Sequence, residues 1–149
     1  MDAIDRKILR MLQADARASL QQIGQAVGLS ASPCWERIRK LEQAGVIEGY
    51  TVRLNAQALD LSDTVLVQVT LDSHSDNTLE KFGETLAAIP EVIEAYLVSG
   101  EYDYLLRVAV RDTRDYERLL RERLYKIKGI RHSKASFELR PLKKADLPI

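Results

Sequence analysis

The 149-residue sequence holds one cysteine, Cys34, so no internal disulfide can form, and such usage fits a reducing compartment. No run approaches the roughly 20 apolar residues of a membrane-spanning helix, so no membrane partner is expected. The opening MDAIDRKILRML is acidic where a secretory signal needs a basic start, and a cytoplasmic protein is expected. Two histidines leave little proton-transfer machinery near neutral pH. Neither His74 nor His132 has a partner at metal-ligand spacing, so neither a metal nor a cofactor is expected. There is no Cys-His or Ser-His-Asp arrangement and no phosphate-cradling glycine loop. Glu101 and Asp103 alternate and could face one way for acid–base work, but alone they make a poor case for an enzyme.

Charge of one sign is also missing: 22 Lys/Arg stand against 22 Asp/Glu. That argues against a protein that grips nucleic acid by bulk electrostatics. Any DNA binding must rest on a local patch, presented by a dimer or a larger assembly. What is present is an ordinary globular balance, 46% hydrophobic and 30% charged, enough for a packed core.

The most informative stretch runs from Ser19 to Gly45. Ser19 with Gln22 forms a capping box, and Leu20, Ile23 and Val27 share one helical face. Gly28 suits a left-handed cap, Leu29 can plug the corner, and Ser30 can cap the next helix. Pro33 is tolerated in a first turn, where amides lack intrahelical partners. Cys34, Ile38 and Leu41 form a buried stripe, and Gly45 ends the helix. With a preceding helix capped by Asp2, this predicts helices over about 3–14, 20–27 and 31–44. The β-branched segment Val46–Leu54 then suits short strands or a wing. Three helices and a short β element make a winged helix-turn-helix, whose last helix would enter a DNA major groove.

Domain boundaries are expected as a DNA-binding domain over 1–54, a linker over 55–63, a second domain over 64–140 and a tail over 141–149. In the second domain Val65, Val67, Val69 and Leu71 alternate as a strand. Asn77 and Glu80 suggest a capping box for a helix that Pro90 stops. Strands follow over Val92–Ser99 and Tyr102–Val110, then a helix capped by Asp112 or Thr113 and ended by Gly129, then a strand over Ile130–Leu139. The fold class is therefore α+β: a winged helix-turn-helix followed by a ferredoxin-like βαββαβ domain. Its helices cover one sheet face, and a second copy of the chain is the economical cover for the other.

Three segments, IDRKILRMLQADAR, GLSASPCWERIRKLEQAGVIEGY and LVSGEYDYLLRV, resemble the Lrp/AsnC (feast/famine) family of bacterial transcription regulators, over essentially the whole chain. The closing LPI looks like some members. The resemblance implies binding to double-stranded operator DNA, homodimers that assemble to an octamer or similar ring, and small-molecule effectors that are usually amino acids.

On the third helix, Ser32, Glu36, Lys40 and Gln43 point away from the buried stripe, with Arg37 and Arg39 on its flanks. Ser32 can donate to a phosphate or base edge, and Glu36 can accept from a cytosine amino group. Arg37 and Lys40 can neutralise phosphates, and Arg37 could instead read guanine. The resemblance supports Ser32, Pro33 and Arg37 as part of the DNA-facing helix. The plainer reading is a solvated face with Glu36 paired to Lys40. Trp35 reads as an anchor under the wing or against a neighbouring helix, and Cys34 as core, with a redox thiol the lesser alternative.

The turn Ser99-Gly100-Glu101-Tyr102-Asp103 is the second candidate site. Gly100 lets a ligand approach the backbone, Glu101 or Asp103 offers charge for an ammonium, and Tyr102 offers a wall with a hydroxyl. The resemblance places an effector site between dimers here, with His132, Ser133 and Ser136 of the last strand nearby. The plainer reading is a hairpin turn in which Asp103 caps backbone amides. A different function on the same fold would be an architectural, nucleoid-like protein that wraps DNA with little sequence preference; the neutral charge weighs against it.

Overall fold

The structure, a computed structural model, describes residues 1–73, 76–144 and 147–149. His74 lies outside the described residues. The chain divides into two compact units, Met1–Arg53 with Lys143–Ile149, and Leu54–Leu142. No helix among the described residues is long and apolar enough to cross a membrane.

The first unit is three helices: α1 (Ala3–Ala14), α2 (Leu20–Val27) and α3 (Ala31–Gln43). Asp2 accepts from the Asp5 amide, and Asp5 accepts from the Asp2 amide, closing a capping box. Ser19 and Gln22 do the same for α2. Gly28 ends α2 at φ +73, a conformation without penalty only where no Cβ is present. Ser30 occupies the cap position of α3 but makes no side-chain capping bond. Ile8, Ile23, Cys34 and Ile38 meet in the core, with Leu29 packed against them at the corner. Arg10 and Gln13 of α1 donate to the carbonyls of Ile149 and Leu147, so the last residues of the chain lie on this unit.

The expected wing forms no strand: 46–55 has no ladder, and Val52 and Leu54 are 74% and 71% exposed. β-branched residues supply the propensity, but a strand also needs a partner edge, and none lies within this unit among the described residues. Only the start of the segment is fixed. The Val46 and Ile47 amides both donate to Leu41 O, and Tyr50 donates to Glu42.

The second unit opens with a single 3-10 turn, Gln57–Leu59, held by Asn55 accepting from the Gln57 amide. Strands β1 (Asp63–Leu71), β2 (Val92–Leu97), β3 (Tyr104–Val110) and β4 (Ile130–Phe137) alternate with helices α4 (Asp76–Ala87) and α5 (Thr113–Glu122). The sheet order is β2-β3-β1-β4 with every pair antiparallel, which is the ferredoxin-like plan. Val65, Val67, Val69 and Leu71 of β1, and Tyr104, Leu106, Val108 and Val110 of β3, face the helices. There they meet Phe82, Leu86, Tyr116 and Leu119. The opposite face presents Leu66, Gln68, Leu105, Arg107 and Lys134, and no element among the described residues covers it.

Three expectations need correction. α4 starts at Asp76, so Asn77 sits in its first turn and not at its cap. α5 stops at Glu122, well before Gly129, because Arg123 leaves helical geometry (φ −121, ψ −68). A separate 3-10 turn then returns Leu124 to the core. β2 and β4 end two residues early and β3 starts two residues late, at Leu97, Phe137 and Tyr104.

At the start of α5, Asp115 is 8% exposed and accepts from the Arg111 amide and both the Arg111 and Arg118 guanidinium groups. The Arg111 and Arg118 bonds hold its carboxyl well below the usual carboxylate range. A depressed folded pKa stabilises above the unfolded value, near pH 4, and that stability is lost as pH falls toward the folded value. Acid titration should therefore lower the stability of the second unit progressively below about pH 4. Asp115→Asn should lower its neutral-pH stability by roughly 1–3 kcal/mol and flatten the acid limb, read by denaturation at pH 7 and pH 3. Parallel curves for variant and parent would refute the assignment.

Candidate DNA-reading helix and effector loop

The buried stripe of α3 is as the spacing predicts: Cys34 is fully buried, and Ile38 and Leu41 nearly so. This leaves Ser32, Pro33, Trp35, Glu36, Arg39 and Lys40 exposed on the outward side. Glu36 and Lys40 form no ion pair among the described residues, so that face is not neutralised across the turn. Trp35 does not act as the expected anchor. It is 47% exposed, and the Arg39 guanidinium carbon lies 5.3 Å from its ring centroid. Such a cation–π contact orients the guanidinium without neutralising it. Burial pushes the Cys34 thiol up, which disfavours the reactive thiolate.

Arg37 differs from its neighbours. Its Nη1 lies 2.7 Å from Asp2 Oδ2 and 2.7 Å from Asp5 Oδ1. The bonds to Asp5 and then Asp2 raise the Arg37 pKa, and those from the Asp5 amide and Arg37 lower that of Asp2. The carboxylates that begin α1 therefore also hold α3. This tie was not anticipated from the sequence: the partners lie more than 30 residues apart, and each looked locally explained, as a cap or as a phosphate contact.

Gly24, in the middle of α2, also has a role that no capping or turn motif declares. A Cβ there would lie 2.5 Å from the Leu29 carbonyl oxygen. The Gly24 carbonyl accepts from both the Gly28 and Leu29 amides. The corner thus folds back onto the helix at the one place with no side chain. A glycine inside an apolar helical pattern was the available signal.

In the second unit, the Val98 amide donates to Asp103 O (2.9 Å), closing the turn between β2 and β3. Gly100 adopts φ +127, and Ser99 and Glu101 are exposed while Tyr102 is half-buried. Asp103 Oδ2 accepts from the Leu71 amide at 2.7 Å, and the Asp103 amide donates to Val69 O. The aspartate thus fastens the turn to the end of β1, as the plainer reading has it. Tyr104 donates to Leu79 O and ties the same corner to α4. Burial, then the charge of Asp103, pushes its phenol up.

The β4 candidates do not converge on the turn within one chain. His132, Ser133 and Ser136 pair with Thr70, Val69 and Leu66 of β1, so β1 lies between them and β3. Two strand spacings put them about 10 Å from the β3 side of the turn. Ser136 is a further ~10 Å along the strand from Ser133. Alternation also divides them: Ser133 is on the helix-covered face, and His132 and Ser136 are on the open face. Among the described residues, no group of three or more histidines, cysteines or acidic residues could hold a metal ion.

Two family models match the chain: an AsnC-type helix-turn-helix domain over residues 1–42 and an Lrp/AsnC ligand-binding domain over residues 64–148. The leucine-responsive regulatory protein of Escherichia coli K12 is 39% identical over 146 residues, 98% of this chain and 89% of that protein. An AsnC family transcriptional regulator from Agrobacterium tumefaciens superposes with a TM-score of 0.94 at 40% identity, covering 99% of this chain and 97% of that one. A transcriptional regulator from Neisseria meningitidis, solved as a complex with L-methionine, superposes with a TM-score of 0.93 at 30% identity, covering 99% and 96%.

Proposed function

The chain belongs to the Lrp/AsnC family of transcriptional regulators, and we propose that it reads operator DNA with the outward face of α3 and adjusts that binding to an amino acid held by its second unit. The observation that carries the DNA reading is α3 itself, with Ser32, Glu36, Arg39 and Lys40 exposed opposite a closed apolar core. Arg39, stacked on Trp35, is the candidate for guanine, Lys40 for phosphate, and Ser32 and Glu36 for base edges or backbone. Pro33 sits beside Ser32 in the first turn, so its missing amide costs no helical hydrogen bond. Arg37 serves as a strut that fixes the angle of α3.

Assembly completes the proposal. The uncovered sheet face favours a homodimer formed through it, and near-neutral charge favours several DNA-reading helices acting together, in an octamer or similar ring. The amino acid would sit between copies, with the turn 99–103 of one facing polar β4 residues of another. The protein would work in the cytoplasm, as a regulator and not an enzyme, with no cofactor.

Binding to the DNA upstream of its own coding region, measured over a salt series, tests this. Lys40→Ala should weaken binding severalfold and reduce the salt slope by about one, with the melting temperature unchanged. Arg37→Ala should lower the melting temperature as well as the affinity. Equal affinity of the parent for every DNA tested would favour the architectural alternative. An Arg39→Ala/Lys40→Ala protein that binds like the parent would remove α3 as the reader. A thermal-shift panel of amino acids tests the effector, since a ligand at about 100 times its Kd adds about 2.7 kcal/mol to native-state stability.

A further inference from the structure

A cleft of about 740 Å³ lies in the second unit between α4 and the segment after α5, away from the 99–103 turn. Lys81 stands on one wall, and Arg123, Lys126 and Lys128 on the other. All four are exposed, and none is ion-paired among the described residues. By contrast, Arg107, Arg111, Arg118 and Arg121 of the same unit each hold a carboxylate. The one carboxylate on the lining, Glu122, lies 3.4 Å from Arg118. The floor is apolar, with Phe82 and Ile89 buried and Ile127 half-buried.

We infer that this cleft binds a nucleoside polyphosphate, with the phosphates between Lys81 and the Arg123–Lys128 wall and the flat nucleoside body on the apolar floor. Charge separates this ligand from the amino-acid effector, because four cations repel the ammonium of a zwitterion and match a multiply charged anion. The half-buried Ile127, with the accessible edges of Phe82 and Ile89, separates it from inorganic phosphate, which would leave that apolar contact unused. The volume falls within the roughly 300–1,000 Å³ of small-molecule pockets. Arg123 is the C-cap of α5, where it also complements the helix dipole, and Lys126 and Lys128 follow it in the chain. Lys81, on the other wall and in mid-α4, has no such role. The inference is independent of the DNA and amino-acid readings.

Calorimetric titration of the full chain with ADP, pyrophosphate and adenosine tests it. ADP should bind, pyrophosphate more weakly and adenosine not measurably. Arg123→Ala/Lys126→Ala, both on the surface, should weaken ADP binding about tenfold or more while leaving the melting temperature and the amino-acid thermal shift as in the parent. No heat with ADP, or equal ADP affinity in parent and variant, would overturn the proposal. Loss of DNA affinity in the variant without any ADP binding would overturn it too, by assigning the cations to the DNA backbone.

Discussion

Gly24→Ala is expected to destabilise the first unit and weaken operator binding, although alanine is the better helix former. The added Cβ would lie 2.5 Å from the Leu29 carbonyl oxygen, with the Leu29 and Ser30 carbonyl carbons at 3.4 and 3.5 Å. These are backbone atoms of the corner that orients α3, and they cannot rotate aside like a side-chain tip. Overpacking strain of this kind runs to roughly 1–3 kcal/mol, and at a backbone contact its upper range outweighs the ~1 kcal/mol that alanine contributes over glycine in a helix. A net loss of about 1–2 kcal/mol follows. Trp35 is the one tryptophan in the sequence and lies on α3, so its fluorescence reports the transition. Gly49→Ala is the control, with nothing within 4 Å of its Cβ position. If both variants melt with the parent, the close approach has no energetic weight.

Asp103→Ala is expected to act on stability and on effector response together. Its carboxylate receives the partly buried Leu71 amide at 2.7 Å, and stranding that amide costs roughly 1–3 kcal/mol. The turn of residues 99–103 would lose its fastening to β1, and an amino-acid pocket built on that turn would lose its shape. Asp103→Asn keeps an acceptor for the amide and should recover most of the stability but little of any interaction with a ligand ammonium. Denaturation and effector titration of both variants separate the two contributions. Parent-like behaviour of Asp103→Ala in both assays would leave Asp103 without either role.

Much of this architecture is legible in the sequence because its signals are local. A helix cap is read within four residues, and Asp2 as an N-cap and the Ser19–Gln22 capping box mark the starts of α1 and α2. Alternation in β1 identifies the buried face with no knowledge of its neighbours. What stayed hidden depends on residues distant in the chain. Arg37 looked like a phosphate contact because nothing nearby reveals Asp2 and Asp5 as its partners. Val46–Leu54 looked like strands because propensity says nothing about whether a partner edge exists. The end of α5 is not legible because the apolar pattern continues through Leu124 while the helical backbone does not. The cleft joins Lys81 to residues over 40 positions later and left no motif.

Because β1 separates the turn from the polar residues of β4 within one chain, the effector site proposed above needs two copies, and that would have a consequence for dosage. A ligand that bridges two copies contributes its binding energy to their association, and association in turn raises its affinity. The midpoint of the response then shifts with the amount of regulator in the cell. Under that proposal, a cell that makes more of this protein would respond at a lower level of the effector.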